Sequence, residues 1–376
     1  MINKKRLIKL LQELIHIDSQ NPPGDEAKIA DFTREYLRAI GLKVKIYQFK
    51  KGRPNVVAHL SGAKFSHSLL ITPHLDTVPA GRNWKYDPFA GVIERGRIYG
   101  LGATDCKVNL ASALEAIRSI KEDGRVLDYD LIFAATADEE CGSDLGLIPL
   151  LKKGILKPSA AVVLDADDFE IIVAQKGLMH IKVKIEGSRA HGAYPDRGVN
   201  AIDIALNAIK EIKHSVWPYA SNKYLKPPTI NVGTIRGGDK VNVVADWCEF
   251  ELDFRFLPGT SAGEILKKTK NIIAKSAKKS KIEIEGIQQP YEISPDHSLV
   301  RSLVSAMRKN RLRPRVSGSE GATVITFFQH KGIPAVATGF GCDGCAHSTN
   351  EFVTIGNLWK GANVLEDFLR HYHWKK

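Results

Sequence analysis

Five short blocks of this chain carry side chains that bind metal ions, and each stands where an apolar run ends. They are Ile71-Thr72-Pro73-His74-Leu75-Asp76-Thr77-Val78-Pro79, Gly100-Leu101-Gly102-Ala103-Thr104-Asp105, Thr136-Ala137-Asp138-Glu139-Glu140-Cys141-Gly142, Leu164-Asp165 and Ala346-His347-Ser348-Thr349-Asn350-Glu351. Imidazole and carboxylate are the ligands that zinc and its neighbours accept at oxygen/nitrogen sites. Two histidines, two bridging or terminal carboxylates and a Glu-Glu pair suit two adjacent divalent ions. Ions about 3.5–4 Å apart form a hydrolytic pair, one generating hydroxide and the other polarising a carbonyl. The pattern points to a metal-dependent amide hydrolase.

Each block also has a plainer reading. His74 and Asp76 are one residue apart after a strand-like run and so point the same way in extended chain. A metal-bound His usually passes its second N–H to a carboxylate; Asp76 fits that task or that of a ligand, and a strand-end turn explains the pair equally well. Asp105 follows a Gly-rich turn that lacks the third glycine of a nucleotide-binding fingerprint, and its placement suits a carboxylate shared by two ions. Adjacent Glu139 and Glu140 can face different ways. One would serve as ligand and the other would take a proton from a metal-bound water and hand it to the leaving amine; alone, the triplet is an exposed acidic loop. Asp165 ends a buried run, but Asp167 and Asp168 follow it as solvated loop acids. His347 lies near Cys342 and Cys345, which raises a rival reading as a separate zinc or redox site, although a second cysteine pair is missing.

A chain of 376 residues exceeds one ordinary core and implies two domains. Apolar content of 43% and charged content of 26% are ordinary for a globular protein, and no apolar run reaches the roughly 20 residues that span a bilayer. The basic N-terminus runs into an amphipathic helix rather than a signal peptide, and five cysteines, an odd number, fit a reducing compartment; the expectation is cytoplasmic. The net charge of +12 concentrates between Lys267 and Lys281 without interleaved aromatics. A solvated lysine face is expected there, and neither nucleic acid nor membrane is expected as a partner.

Periodicity predicts helices from about Lys4 to Ile15 and on to Ile40 after the Pro22–Gly24 turn, then strands at 44–47, 55–60 and 69–72. A helix over 108–120 and strands at 129–135 and 160–164 complete an α/β pattern whose sheet is mixed and covered by helices on both faces. The ligand blocks then fall at the carboxyl ends of strands, where open α/β sheets bind ligands. From about Lys176 the texture changes to alternating strands (179–186, 229–235, 247–256, 282–285) and helices (199–213, 262–277), a βαββαβ-like order. After Ser294 a helix, a buried strand at 333–338 and a final helix near 357–372 return. The expected organisation is a catalytic domain of residues 1–175 and 292–376, interrupted by an inserted domain of residues 176–291.

Together and in this order, the blocks resemble the aminoacylase/desuccinylase/carboxypeptidase family of co-catalytic metallohydrolases, which includes acetylornithine deacetylase, succinyl-diaminopimelate desuccinylase, glutamate carboxypeptidases and dipeptidases. The resemblance runs from Leu14-Ile15-His16-Ile17-Asp18-Ser19-Gln20-Asn21-Pro22 to Glu351. It implies two Zn2+ per chain, with Co2+ or Mn2+ as substitutes, His74 and Asp165 on one ion, Glu140 and His347 on the other, and Asp105 bridging. It makes Glu139 the general acid/base and Asp76 the partner that orients His74. The insertion resembles the family's lid and dimerisation domain and implies a homodimer. In it, the resemblance implies that His191 stabilises the tetrahedral oxyanion in the partner subunit's site, that Asn242 contacts substrate likewise, and that Arg255 grips the substrate carboxylate. Thr323 would line the substrate side.

The chain departs from that pattern at Cys106-Lys107-Val108 after the bridging Asp105, at Val324 where Asp is usual, and at Cys342 and Cys345. None of these removes an implied ligand or base. The resemblance therefore implies hydrolysis of the amide of a small N-acyl-L-amino acid by metal-generated hydroxide, with a dipeptidase or carboxypeptidase acting on dipeptides as the alternative.

Overall fold

The computed structural model describes residues 1–63 and 67–374. In chain order the helices are α1 (Lys4–Ile15), α2 (Ala27–Ala39), α3 (Lys107–Glu122), α4 (Leu147–Lys152), α5 (Ala201–His214), α6 (Ala262–Ser276), α7 (Ser298–Lys309), α8 (Ile325–Gln329) and α9 (Ile355–His371). The strands are β1 (Lys43–Gln48), β2 (Pro54–Leu60), β3 (Ser68–Thr72), β4 (Val92–Glu94), β5 (Arg97–Tyr99), β6 (Asp130–Ala135), β7 (Ala160–Leu164), β8 (Glu170–Gln175), β9 (Gly177–Glu186), β10 (Thr229–Gly237), β11 (Trp247–Phe256), β12 (Ser280–Gln288), β13 (Tyr291–Glu292), β14 (Arg315–Ser319), β15 (Ala335–Thr338) and β16 (Phe352–Thr354). The chain folds as two compact units, one of Met1–Val173, Ile293–Ser317 and Phe327–Lys376, the other of Ala174–Glu292 and Gly318–Thr326.

In the first unit the central sheet has the order β1-β2-β6-β3-β7-β15-β8. The four middle strands β6, β3, β7 and β15 are parallel, and antiparallel pairing resumes at β2 and β8. Strands buried on both faces read as continuous apolar runs, and Ala160-Ala161-Val162-Val163-Leu164 is buried throughout. α1 buries Leu7, Leu10, Leu11 and Leu14, the one-face spacing of a 3.6-residue period, and its Asn3 cap accepts the Arg6 N–H at 3.1 Å. α3 is buried almost all round and includes Glu115, whose carboxylate is satisfied by the Arg6 guanidinium at 2.7 and 2.8 Å and by the Asn3 N–H at 2.8 Å. A carboxylate buried in a helix needs such partners, because an uncompensated charge there costs several kcal/mol, on the order of 3–5.

The second unit has the sequence order β9-α5-β10-β11-α6-β12, and its antiparallel sheet has the spatial order β10-β11-β9-β12. Alternation explains its construction. Met179, Ile181, Val183 and Ile185 of β9 and Phe250, Leu252 and Phe254 of β11 point to one side and pack with Ala201, Ala205 and Ile212 of α5 and Ile265 and Ile273 of α6. The intervening residues form a charged ladder on the other face, with Lys182 on Glu251 and Glu285 at 2.8 and 3.1 Å and Lys184 on Glu283 at 2.8 Å. Within the basic stretch 267–281, Lys267, Lys270 and Lys275 are exposed on α6.

Strand β8 and the three-residue strands β4, β5 and β16 are not among the elements expected from pattern alone. The short strands form their own small sheet in the order β16-β5-β4, too short for a period of two to stand out. Residues 318–326, read from sequence as part of the 292–376 stretch, group with the second unit. The Lys176 N–H binds Ser319 O at 3.1 Å, the Lys226 N–H binds Glu320 at 2.9 Å, and Gln175 accepts both the Thr323 N–H and hydroxyl at 3.1 and 2.7 Å. Among the described residues, no helix is long and apolar enough to cross a membrane.

Phe250 is wholly buried at the centre of the second unit's core. Phe250→Ala should destabilise that unit by about 3–5 kcal/mol, read as a shift of its urea unfolding midpoint; an unchanged midpoint would mean the core is not organised around this strand.

Candidate active site

Parallel pairing puts the carboxyl ends of β6, β3, β7 and β15 on one edge of the sheet, and the ligand-type residues leave from that edge. His74 follows β3 and is locked there by a bridge to Thr136, with the Leu75 N–H on Thr136 O at 2.8 Å. Glu139 and Glu140 follow β6, Asp165 follows β7, His347 lies in the loop after β15, and Asp105 immediately precedes α3 by two residues.

The fold brings these residues into two clusters that share Asp105. One is His74, Asp105 and Asp165; the other is Asp105, Glu140 and His347; within each, one potential ligand atom per residue lies within 4.8 Å of the others. Asp105 divides its two oxygens, Oδ1 at 2.9 Å from His74 Nε2 and Oδ2 at 3.1 Å from His347 Nε2. His347 Nε2 is also 3.1 Å from Glu140 Oε2. Among the described residues, neither cluster contains a cysteine, so Cys342 and Cys345 form no separate metal-ligand group with His347. Glu139 belongs to neither cluster.

The site fits divalent cations. Glu140 Oε1 is buried without a hydrogen-bond partner among the described protein groups, a cost that a cation on that oxygen removes. The carboxylates also crowd one another. Burial, then the charge of Asp165, pushes Glu139 well above the usual carboxylate range. Burial and Asp105 raise Asp165 to about 6. Burial would raise Asp105 too, but hydrogen bonds to His347 and His74 outweigh it and hold the carboxyl low. The same two acids, Asp105 and Glu140, raise His347 to about 10. By themselves the protein groups therefore gather protons where a divalent ion would supply charge.

The surrounding bonds explain how the cluster is held. The sequence reading gave Asp76 to His74, yet His74 Nδ1 lies 2.9 Å from the Asp76 main-chain carbonyl and 3.6 Å from its carboxylate. The Asp76 carboxylate also accepts the N–H groups of Glu139 and Glu140, both at 3.1 Å, and the Asn21 amide at 2.9 Å. Asp76 thus fixes the Glu139-Glu140 turn as much as the imidazole. Behind it, Arg53 forks onto Glu26 at 2.6 and 2.7 Å and reaches Asp138 at 3.0 Å. Cys106 is buried, with its thiol pushed up to about 11 by burial. Its sulfur accepts the His74 N–H at 3.3 Å and donates to Leu164 O at 3.4 Å, tying together the ends of β3 and β7.

Sequence reasoning did not assign roles to Asn21, Arg53, Glu26 or Glu351. Asn21 and Glu351 lie inside blocks already quoted, so polar residues flanking a ligand were the available signal; Arg53 and Glu26 are adjacent only through folding.

The residues expected from the sequence on the substrate side lie in the second unit. His191 bridges Val243, and the Gly192 N–H binds Asn242 O at 2.8 Å, so the fold brings the His191 and Asn242 loops together. Arg255 is on β11, where its guanidinium forks onto Asp253 at 2.8 and 3.0 Å. Thr323 is held on Gln175.

Because His347 is held near 10 by its acidic neighbours, it is protonated at pH 7 and must lose that proton to bind an ion. Zn2+ uptake should therefore release about one proton or more per chain and weaken as the pH falls, most steeply below about 6 where Asp165 also protonates. Calorimetric titration in buffers of different ionisation enthalpy reads this directly, and uptake without proton release would mean that His347 is already neutral before an ion binds.

The family model for "Peptidase family M20/M25/M40" matches residues 70–371. An acetylornithine deacetylase of Proteus mirabilis (strain HI4320) is 29% identical over 370 residues, covering 94% of this chain and 92% of that protein. Two solved structures align over 98% of both chains. They are the aminopeptidase PepT from Bacillus cereus ATCC 10987, with TM-score 0.83 and 25% identity, and a tripeptidase from Staphylococcus aureus, with TM-score 0.82 and 27% identity. With its site at the strand ends and a family match over most of its length, this metal-dependent amide hydrolase belongs to peptidase family M20/M25/M40.

Proposed function

We propose that the protein releases the acyl group from small N-acyl-L-amino acids, using two divalent ions, Zn2+ first and Co2+ or Mn2+ as substitutes. The observation that carries this reading is the division of Asp105 between His74 and His347 at 2.9 and 3.1 Å, a bridging arrangement closed by Asp165 on one side and Glu140 on the other. When bound, such a pair would acidify a water and draw charge from the scissile carbonyl.

On this reading the residues divide the work. His74 and Asp165 hold one ion, Glu140 and His347 the other, and Asp105 both. Glu139, outside both ligand sets but held on the same turn as Glu140 by Asp76, takes the proton of the attacking water and returns it to the leaving amine. His191 and Asn242 stabilise the developing oxyanion and contact substrate, and the inserted unit serves as lid and dimerisation domain in a homodimer. Arg255 takes the substrate carboxylate, for which it exchanges its fork on Asp253.

A second reading, hydrolysis of dipeptides or other short peptides, is favoured by the full-length similarity to the aminopeptidase and the tripeptidase. A free substrate amino group would need an acidic partner, and Glu320 is the candidate. Its carboxylate is already met by Lys176 Nζ at 2.5 Å and the Lys226 N–H at 2.9 Å, which supports the acylated substrate as the first choice.

Primary-amine release, measured with added Zn2+ on N-acetyl and N-succinyl amino acids and on unblocked di- and tripeptides, separates the two; turnover of the peptides alone would replace the first reading with the second. Glu139→Gln should bind metal normally and lose several orders of magnitude in kcat, about 10²–10⁴-fold for a general base. Near-normal turnover would exclude it. His347→Ala should bind one ion fewer per chain by metal analysis, and full occupancy would move that ligand elsewhere.

A further inference from the structure

Four residues beyond His347, the Glu351 carboxylate is buried at 1% exposure. It accepts three main-chain N–H groups from the loop that precedes α3: Gly102 on Oε2 at 2.9 Å, and Thr104 and Asp105 on Oε1 at 2.7 and 2.9 Å. Main-chain N–H groups that meet a carboxylate favour its charged form, here against the burial that raises its pKa. The third donor is the N–H of Asp105 itself, so the clamp acts on the backbone of the residue shared by both clusters.

The surrounding bonds run between the same two segments. The Gly100 N–H binds Glu351 O at 3.0 Å, and Thr104 Oγ1 donates to Phe352 O at 2.8 Å. The Cys342 N–H donates to Thr104 Oγ1 at 3.2 Å, and Tyr99 pairs with Phe352. Lys107 is buried with its ammonium on Ile17 O at 2.9 Å; burial lowers it to about 8, and the charge of Glu351 opposes that fall. Gly102 completes the turn at φ +79°, where a Cβ would stand 2.7 Å from Thr77 Cγ2. The loop bearing Asp105 is therefore registered against the loop bearing His347 by bonds of which the Glu351 carboxylate accepts three.

We propose that Glu351 is a positioning residue that holds the backbone of residues 102–105 against the His347 loop and so sets the direction in which Asp105 presents an oxygen to each cluster. The inference rests on the reading of Asp105 as the ligand shared by two ions. It follows from reach and valence. Three donors converge on two oxygens, so an amide cannot replace the carboxylate without turning its NH2 toward at least one N–H. Aspartate keeps the charge but stops one methylene short. Either change lets the loop relax, and a shift of about 1 Å in a supporting group costs on the order of 10²-fold in rate.

Metal-free wild-type, Glu351→Gln and Glu351→Asp proteins would be titrated with Zn2+ and with Mn2+, and their kcat and KM measured with the best substrate of the wild-type protein. Both variants should bind both ions about 10–100-fold more weakly, with kcat lowered by a similar factor and KM changed less than about threefold. A purely structural role would lower the melting temperature of the metal-free protein and leave the affinity of the folded fraction unchanged, which overturns the proposal; so does full rescue by aspartate. Amide hydrogen exchange of the metal-free wild-type protein tests the clamp without a variant. The N–H groups of Thr104 and Asp105 should be protected, and exchange at the rate of an open loop overturns it, even if both variants fail to fold. A wild-type protein that binds neither ion would sink the proposed function instead, while the exchange measurement still decides the clamp.

Discussion

Everything at this site follows from the repulsion among carboxylates that the fold holds together. Asp105, Glu139, Glu140 and Asp165 crowd around two imidazoles at the end of a buried sheet, where like charges are poorly screened. The protein groups answer with whatever positive charge they have. His347 is driven to about 10, Asp165 keeps its proton up to about 6, and Glu140 leaves one buried oxygen unpartnered. Two divalent ions relieve all of these at once. Burial, with the same crowding added to it, makes the carboxyl of Glu139 more basic than an exposed glutamate.

Such a cluster stays together only because the backbone beneath it is held by charge as well as by packing. Parallel strands deliver the chain to one edge, but a strand end alone does not fix a side chain's direction. Two further acids perform that task. Asp76 gathers the N–H groups of Glu139 and Glu140, and Glu351 those of Gly102, Thr104 and Asp105. Each is buried, and each accepts two or more main-chain N–H groups. Arg53 then ties Asp138 to Glu26 on the far side of the Glu-Glu turn. One departure from the family pattern falls into this supporting layer. Cys106 joins the ends of β3 and β7 with its sulfur, so the substitution changes the brace and leaves the ligands in place.

The second unit solves a different problem. One face of its sheet is packed under α5 and α6, and the other is a ladder of paired lysines and acids. Lys182 and Lys184 are neutralised in pairs on that face, while Lys267, Lys270 and Lys275 of the basic stretch are displayed on α6. Arg255 belongs to this economy, forked onto Asp253. On the proposed reading, its recruitment by a substrate would exchange one carboxylate for another.

The sequence by itself determined the elements and the chemistry. Leu7, Leu10, Leu11 and Leu14 declare a helix, the unbroken run Ala160–Leu164 declares a buried strand, and the strict alternation of 247–256 declares a sheet with one wet face. The types of His74, Asp105, Glu140, Asp165 and His347, and their places at the ends of such runs, were legible because ligands follow strands in this class of fold. Tertiary structure alone decided which oxygen meets which imidazole, that the Asp76 carboxylate serves the Glu139-Glu140 turn as well as His74, that residues 318–326 join the inserted unit, and that Glu351 reaches across to Asp105. The reason is physical. Periodicity and ligand type are local properties of a chain, whereas a hydrogen bond between residues 246 positions apart exists only once the sheet has brought the two loops to the same edge.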